Sequence, residues 1–236
     1  MKHLVAFSGG KDSTAMLFMM IEKQMPIDYI VYVDTTKDFP QMYEHIEKVK
    51  EYIKPFEITR LEFDFDWYFA DRTITKGFRE GEKGYGWPDY RKRWCTRLKI
   101  WTVKKFMKSI RDYKKEEVVE YMGIAYDERE KREKEYEKRT VKYPLIDWEI
   151  TEAEALQYCY NRGFDWGGVY EDIKRMSCYC CPIMRLEYLE IIYNKYPELW
   201  QKIREMDKKS HRRFRFDFTL ENLEKRFRGE DYERSI

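Results

Sequence analysis

Two groups of residues in this 236-residue chain have the types and spacing to do chemistry. The first is Ser8, Gly9, Gly10, Lys11, Asp12 and Ser13, set between the apolar stretch "HLVAF" and a second apolar run that begins at Ala15. A glycine loop between a strand and a helix N-terminus presents backbone N–H groups and the positive helix end, which suits an anion such as phosphate. Gly9 and Gly10 let the backbone approach it, Ser8 and Ser13 carry hydroxyl donors, and Lys11 offers a point charge to a leaving group. Asp12 would repel phosphate unless it holds Mg²⁺ or caps the helix. The two best-known phosphate loops, G-x-x-x-x-G-K-S/T and G-x-G-x-x-G, both space their glycines, whereas here the two are adjacent and Lys is followed by Asp.

The second group is built on thiols. Cys178, Cys180 and Cys181 fall within "MSCYCCP", and Cys95 lies far upstream in "RWCTRLK". Cys178 and Cys181 have the two-residue spacing that lets both sulfurs reach one ion, and thiolates suit Zn²⁺ or an iron–sulfur cluster. A clustered redox thiol is the alternative. Five cysteines, an odd number without a leader-like segment at the start, argue against a disulfide framework. The fifth, Cys159, sits among Leu156 and Tyr160 in a helical pattern and reads as a buried structural residue. His3, His45 and His211 make no ligand pattern.

The elements that must position these groups alternate. "HLVAF" reads as a buried strand, residues 12 to 24 as a helix apolar nearly all round, "YIVYVDT" as a second strand and "QMYEHIEKVKEYI" as an amphipathic helix. "ITRLEFDFDWYF" then alternates as a third strand. That order predicts an α/β fold, a parallel twisted sheet with helices on both faces, followed by a mainly helical C-terminal extension. Residues 71 to 95 form a long glycine-containing connection of the kind that is functional or disordered. "TRLKIWTVKKFMKSI" reads as a helix, "EVVEYMGIAY" as a strand, and "DEREKREKEYEKR" as a solvated mixed-charge helix, with a lid as the alternative. Thr151 and Glu154 form a capping box ahead of "EAEALQYCYNRGF", and residues 186 to 209 read as one long helix with a weaker one near the end. The expected division is a nucleotide-binding domain over 1–150 and a helical region over 151–236 that carries the cysteine cluster and packs on the same core.

Composition narrows the classes. Lys and Arg number 46 against 44 Asp and Glu, so the molecule as a whole is no electrostatic nucleic-acid glove and any anion binding must be local. One segment, "QKIREMDKKSHRRFR", is locally basic; a solvated helix end and a surface tracking nucleic-acid phosphates both explain it. The aromatic share of 17% is read as core, with base stacking as the alternative. No apolar run reaches the roughly 20 residues that span a bilayer, so no membrane role is expected and the chain reads as cytoplasmic.

"SGGKDS" after the first strand is the signature of the PP-loop ATP pyrophosphatases, and this sequence resembles that superfamily. "WCTRLK", "CYCCP", "YMGIAYDERE" and "YPLIDWEITEAEALQYC" make it similar to the phosphoadenosine-phosphosulfate (PAPS) reductase family, in particular its short phage and bacterial members, and to the sulfur-transfer proteins of DNA phosphorothioation. The resemblance runs from about residue 3 to about residue 205. It implies an adenine nucleotide alpha hydrolase-like fold and ATP with Mg²⁺ at Ser8 to Ser13. It also places Asp34, Thr35 and Thr36 at the end of the second strand, and Gly123 with Asp127 and Glu128, near the nucleotide. In the iron–sulfur members an upstream Cys-Cys pair and a downstream C-x-x-C hold a [4Fe-4S] cluster. Here Trp94 takes one upstream position and Cys180 adds a thiol downstream, so cluster against zinc, and three ligands against four, stay open.

The implied activity is cleavage of ATP to pyrophosphate and AMP or an adenylated second substrate, with Lys11 and Asp12 as catalytic residues, in sulfur-transfer or nucleic-acid modification chemistry. Sulfonucleotide reductases carry a C-terminal Glu-Cys-Gly-x-His segment, whereas no cysteine follows Cys181 here, so the usual reduction route lacks its nucleophile. Two alternatives stand beside this. One is an adenylyl sulfonucleotide reductase or sulfotransferase that uses Cys180 or a partner's thiol, and the other a non-catalytic nucleic-acid adaptor. Partners compatible with the sequence are a nucleic-acid or sulfur-carrier substrate and a homo-oligomer.

Overall fold

Five strands form one sheet whose pairings are all parallel: β1 (Lys2–Ala6), β2 (Tyr29–Asp34), β3 (Ile58–Glu62), β4 (Val118–Met122) and β5 (Val141–Lys142). The computed structural model describes residues 1–77, 79–111, 117–135 and 140–232. Parallel neighbours need crossovers, which α1 (Lys11–Glu22), α2 (Pro40–Tyr52) and α3 (Trp94–Ile110) supply in the expected alternation. The strand order is β3-β2-β1-β4-β5. The chain therefore winds to one side of β1 for β2 and β3 and to the other side for β4 and β5. A crevice opens at such a reversal, outside the carboxyl ends of β1 and β4, and this is where open parallel sheets take ligands.

By compactness the chain resolves into two units, one of Met1–Asp34, Phe39–Glu62 and Ile100–Tyr170, the other of Thr35–Asp38, Phe63–Lys99 and Glu171–Ile236. Residues 152 to 170, which sequence order groups with the C-terminal region, cluster with the sheet, and Phe63–Lys99 clusters with the C-terminal helices.

The first unit buries Leu4, Val31 and Val118 from three adjacent strands against Val103, Phe106, Met107 and Ile110 of α3. Helix α1 is buried from Ser13 through Met20, as its unbroken apolar run requires. It packs against α5 (Glu152–Tyr160), which follows the short α4 (Pro144–Asp147). The Thr151 and Glu154 capping box is present with both reciprocal hydrogen bonds.

The second unit contains α7 (Leu186–Lys195), α8 (Pro197–Lys209) and α9 (Leu220–Phe227), while the short α6 (Val169–Asp172) spans the division between the units. Aromatic rings fill its core: Trp87 meets Phe214 edge-on at 4.9 Å and Phe69 at 4.8 Å, and Trp200 and Phe218 are buried.

Three elements differ from the sequence reading. The helix expected over 186–209 breaks at Tyr196, because Pro197 has no N–H to donate and its ring drives the preceding residue out of the helical region. The third strand stops at Glu62, and a single π-helical turn, Trp67–Asp71, replaces its continuation. There the Asp64 carboxylate accepts the Trp67 N–H at 2.9 Å and turns the chain. The mixed-charge run is 3₁₀-helical over Tyr126–Glu135, and residues 136–139 lie outside those described. Among the described residues no helix is long and apolar enough to cross a membrane.

Gly123, directly after β4, lets two backbones meet at the crevice. A Cβ there would stand 2.7 Å from both N and Cα of Ser13 and 2.9 Å from the carbonyl carbon of Asp12, atoms that belong to the first turn of α1. Gly123→Ala is expected to destabilise the fold by about 2 kcal/mol, as overpacking against backbone does. Urea denaturation measures it, and an unchanged midpoint would show that the two segments separate freely.

Candidate functional site

The loop between β1 and α1 is shaped by Gly9, whose φ of +76° is open to glycine and strained for other residues. A Cβ at Gly9 would also stand 2.5 Å from the Met42 sulfur. Two donors hold its carbonyl: the Trp166 indole N–H at 2.8 Å and the Thr14 hydroxyl at 3.4 Å. With the Thr14 hydrogen aimed at Gly9, its oxygen accepts from Nε2–H of His45 at 3.1 Å, which assigns His45 the neutral Nε2–H tautomer. The His45 ring stacks on Trp166, with centroids 4.3 Å apart.

Gly10 is the N-cap of α1 and supplies no side-chain oxygen. The N-cap residue therefore offers no cap of its own, and the N–H groups of the first turn look to other acceptors. The Lys11 N–H is taken by the Tyr170 hydroxyl at 3.0 Å. Ser13 Oγ accepts the Ser8 N–H at 3.1 Å, lies 3.0 Å from Ser8 Oγ, and donates to the Gly10 carbonyl at 3.1 Å. The two hydroxyls so bridge the ends of the loop. Cys159 is buried beneath and donates to the Lys11 carbonyl at 3.6 Å, in keeping with the structural role read from its neighbours.

The structure draws Lys11 inward. Its side chain is 7% exposed, and the ammonium lies between Asp12, at 3.0 and 3.2 Å, and Glu152, at 2.7 Å. Burial lowers the Lys11 pKa, but the Asp12 charge and the Glu152 hydrogen bond outweigh it, so the ammonium stays protonated. Asp12 does not cap the helix. Its carboxyl is pushed up to about 6, chiefly by burial, with the Glu152 and Glu128 charges adding to the rise and Lys11 opposing it. Asp127 accepts the Glu152 backbone N–H at 3.1 Å. Asp127 and Glu128, expected near the nucleotide, thus belong to the acidic surroundings of Lys11. Sequence reading missed Glu152, Tyr170, Trp166 and His45, because each reaches the loop from a remote position. The capping box, which marks Glu152 as the first residue of α5, was the one available signal.

Asp34 ends β2 fully buried, paired with Arg60 at 2.6 Å and accepting from the Tyr43 hydroxyl at 3.0 Å. Thr36 has a φ of +59°, an outlier for a β-branched residue and the kind of local strain that collects at functional sites.

Thr35 and Thr36 belong to the second unit, with all four candidate thiols. Thr35 Oγ1 lies 3.4 Å from Cys178 Sγ, and the Tyr179 N–H donates to the Lys37 carbonyl at 2.9 Å. Cys95 and Lys99 share a face of the first turns of α3, four residues apart. Burial lowers the Lys99 pKa, but Cys178, Asp38, Cys95 and Cys181 together raise it above the ordinary lysine value. Burial pushes Cys178 up to about 12 against the pull of Lys99. Cys180, 2% exposed, is driven well above the usual thiol range by burial and then by Cys178 and Cys181. The donor set suits a thiophilic ion or cluster, with Lys99 ready to offset thiolate charge. Among the described residues no three His, Cys, Asp or Glu side chains are gathered around one point.

A parallel sheet with a glycine loop at its switch point, a glycine at the N-cap of the helix behind it and paired serines across it define a PP-loop nucleotide-binding protein. The chain matches the phosphoadenosine phosphosulfate reductase domain over residues 2–184 and belongs to that family, a PP-loop family of nucleotide-utilising enzymes. It is 26% identical over 216 residues to an uncharacterized protein of Methanocaldococcus jannaschii, covering 84% of this chain and 40% of that protein's length. Among solved structures it is similar to the U34-tRNA thiolase NcsA from Methanococcus maripaludis with its [4Fe-4S] cluster, at 13% identity and a TM-score of 0.43, over 88% of this chain and 71% of that one. It is also similar to a protein described as a predicted subunit of tRNA methyltransferase from M. jannaschii, at 16% identity and a TM-score of 0.33, over 69% and 88%.

His45 carries a pH consequence. Burial, with a smaller contribution from Lys48, holds its pKa down to about 3. The unfolded chain takes up this proton below about pH 6.5 and the native chain does not until about 3, so stability is full above 6.5 and falls as pH drops through that window. A loss of about 2 kcal/mol between pH 6.5 and 5 is expected for the native sequence. His45→Gln, which keeps a donor to Thr14 and does not titrate, should flatten this slope in denaturant titrations at the two pH values; equal slopes would refute the assignment.

Proposed function

We propose that the chain binds ATP with its phosphates against Ser8 to Ser13 and cleaves it between the α- and β-phosphates. The acceptor's oxygen displaces pyrophosphate at the α-phosphorus, leaving AMP on a second substrate in sulfur-transfer or nucleic-acid modification chemistry. The observation that carries this reading is the first turn of α1. Its N-cap is Gly10, which brings no side-chain oxygen of its own, its loop turns left-handed at Gly9, and the Ser8 and Ser13 hydroxyls stand 3.0 Å apart beside it. Lys11 is the charge for the leaving pyrophosphate, and its ammonium must leave one of its two carboxylates to reach it. Once Lys11 moves, Asp12 with Glu152 forms the oxygen-donor pair that would hold Mg²⁺, an ion that supplies charge neutralisation at the phosphates. Cys95, Cys178, Cys180 and Cys181 would hold zinc or a [4Fe-4S] cluster, which supplies an anchored thiophilic centre for sulfur delivery.

The burial of Cys180 bears on the sulfonucleotide alternative. A thiol 2% exposed and pushed well up in pKa is a poor free nucleophile, so the reductase reading must use another thiol.

With the right acceptor, the products of ATP turnover are expected to be pyrophosphate and AMP or an AMP ester. Lys11→Ala should lower the rate by about 10²- to 10³-fold, the usual scale for losing one transition-state charge partner. Nucleotide chromatography and a pyrophosphate assay read this, and ADP as the sole product would sink the reading. Purified without oxygen, the protein is expected to carry iron or zinc, and Cys95→Ser and Cys178→Ser to lose it. Elemental analysis with a sulfide assay separates cluster from zinc, and metal retained in both variants would remove these cysteines from the ligand set.

A further inference from the structure

Immediately after Cys181, the second unit carries a groove of about 800 Å³ lined by residues 87–91, 182–183 and 212–217. Interactions among the lining stretches and their supports fix its walls. Trp87 donates its indole N–H to Asp207 at 2.7 Å, and its ring packs edge-on against Phe214. Arg212 pairs with Asp89, tying the 87–91 stretch to the 212–217 stretch. Arg215 pairs with Asp217 at 2.9 Å and donates to the carbonyls of Pro182 and Met184 at 2.6 and 2.8 Å, tying in the cysteine segment.

The residues facing solvent are of another kind. Tyr90 and Phe216 are 67% and 84% exposed, with the Arg93 guanidinium 5.7 Å from the centre of the Tyr90 ring. Arg91 and Arg213 are exposed and enter no ion pair among the described residues. Four arginines against Asp89 and Asp217 make the groove positive in a chain whose charges otherwise nearly balance.

The volume is ordinary for a small ligand, so the chemistry of the lining must choose the occupant. Arginines alone would take phosphates, and exposed rings alone would suit an apolar partner. Together they match an unpaired nucleic-acid strand, whose bases stack on flat rings while its phosphates meet guanidinium groups; a duplex hides those base faces.

We propose that this groove binds an unpaired nucleic-acid strand, with Tyr90 and Phe216 stacking bases and Arg91 and Arg213 taking phosphates. The site stands on its own geometry and does not depend on the ATP reading.

The test is fluorescence anisotropy of the full chain with a short oligouridylate, the matching oligothymidylate and a duplex of equal length, over a series of salt concentrations. Binding to either single strand that weakens with salt is expected, and the preferred sugar identifies the source. Phe216→Ala should weaken binding roughly tenfold and Phe216→Trp should restore it, as removal and return of a stacking platform do. The double variant Arg91→Ala with Arg213→Ala should flatten the log–log salt slope by about 1.4, because each single-strand phosphate left without its arginine accounts for about 0.7. Lys11→Ala should bind like the native chain, so failure here leaves the ATP reading standing, and failure there leaves this one. Circular dichroism confirms folding of each variant. No binding to either strand at low salt, a duplex that binds as tightly, or affinities unmoved by both sets of variants would overturn the proposal.

Discussion

The Trp166 indole N–H reaching the Gly9 carbonyl, across 157 positions of sequence, is the hydrogen bond on which the glycine loop depends. A loop that turns left-handed at Gly9 turns that carbonyl out of the helical direction, and a buried carbonyl must find a donor. Trp166 provides one, and Thr14, backed by the neutral His45, provides the other. With the carbonyl committed, the Ser8 and Lys11 N–H groups are taken in turn by the Ser13 and Tyr170 hydroxyls. Met42 and the first turn of α1 then close in on Gly9 and Gly123, so closely that a single methyl at either glycine would collide. The site is therefore a packing solution as much as an electrostatic one.

Two lysines show how this chain handles buried positive charge. Lys11 is drawn between Asp12 and Glu152, and Lys99 lies among Asp38 and three of the thiols. An ammonium removed from water is tolerated where anionic partners replace its hydration. At Lys11 the partners are two carboxyl groups from separate helices, Asp12 and Glu152, which together enclose the ammonium. At Lys99 the partners are thiols whose pKa values burial holds high, so the lysine favours their deprotonation. Deprotonation is what ligation of a soft metal requires. The same physical device thus sets a lysine among oxygen donors in one unit and among thiols in the other.

Membership of the phosphoadenosine phosphosulfate reductase family accounts for the sheet and the loop, while the thiols depart from the pattern of the iron–sulfur members. The upstream pair is Trp94 and Cys95, and Trp94 is a core residue, buried against Phe65 and donating to the Gly86 carbonyl. The position is thus given to packing. Cys180, the extra downstream thiol, is likewise buried.

Much of this was legible in residue order. Alternating strand and helix patterns determined the parallel sheet, the unbroken apolar run of α1 determined its burial, and Thr151 with Glu154 determined where α5 begins, because each signal is local in the chain. Adjacent glycines followed by Lys and Asp marked the loop that turns left-handed between β1 and α1, and three cysteines in four residues marked where thiols cluster. Tertiary structure alone decided the rest. Lys11 turns inward because Glu152 arrives from another helix, Asp34 is taken by Arg60 from the next strand, and Asp12 is left to ion pairing because Gly10 occupies the cap. The helix read over 186–209 splits at Pro197, a local signal the sequence already held, whereas residues 152 to 170 cluster with the unit that holds the sheet by packing that residue order does not encode. A motif states which atoms are available; only the folded chain sets the dielectric and the neighbours that decide what those atoms do.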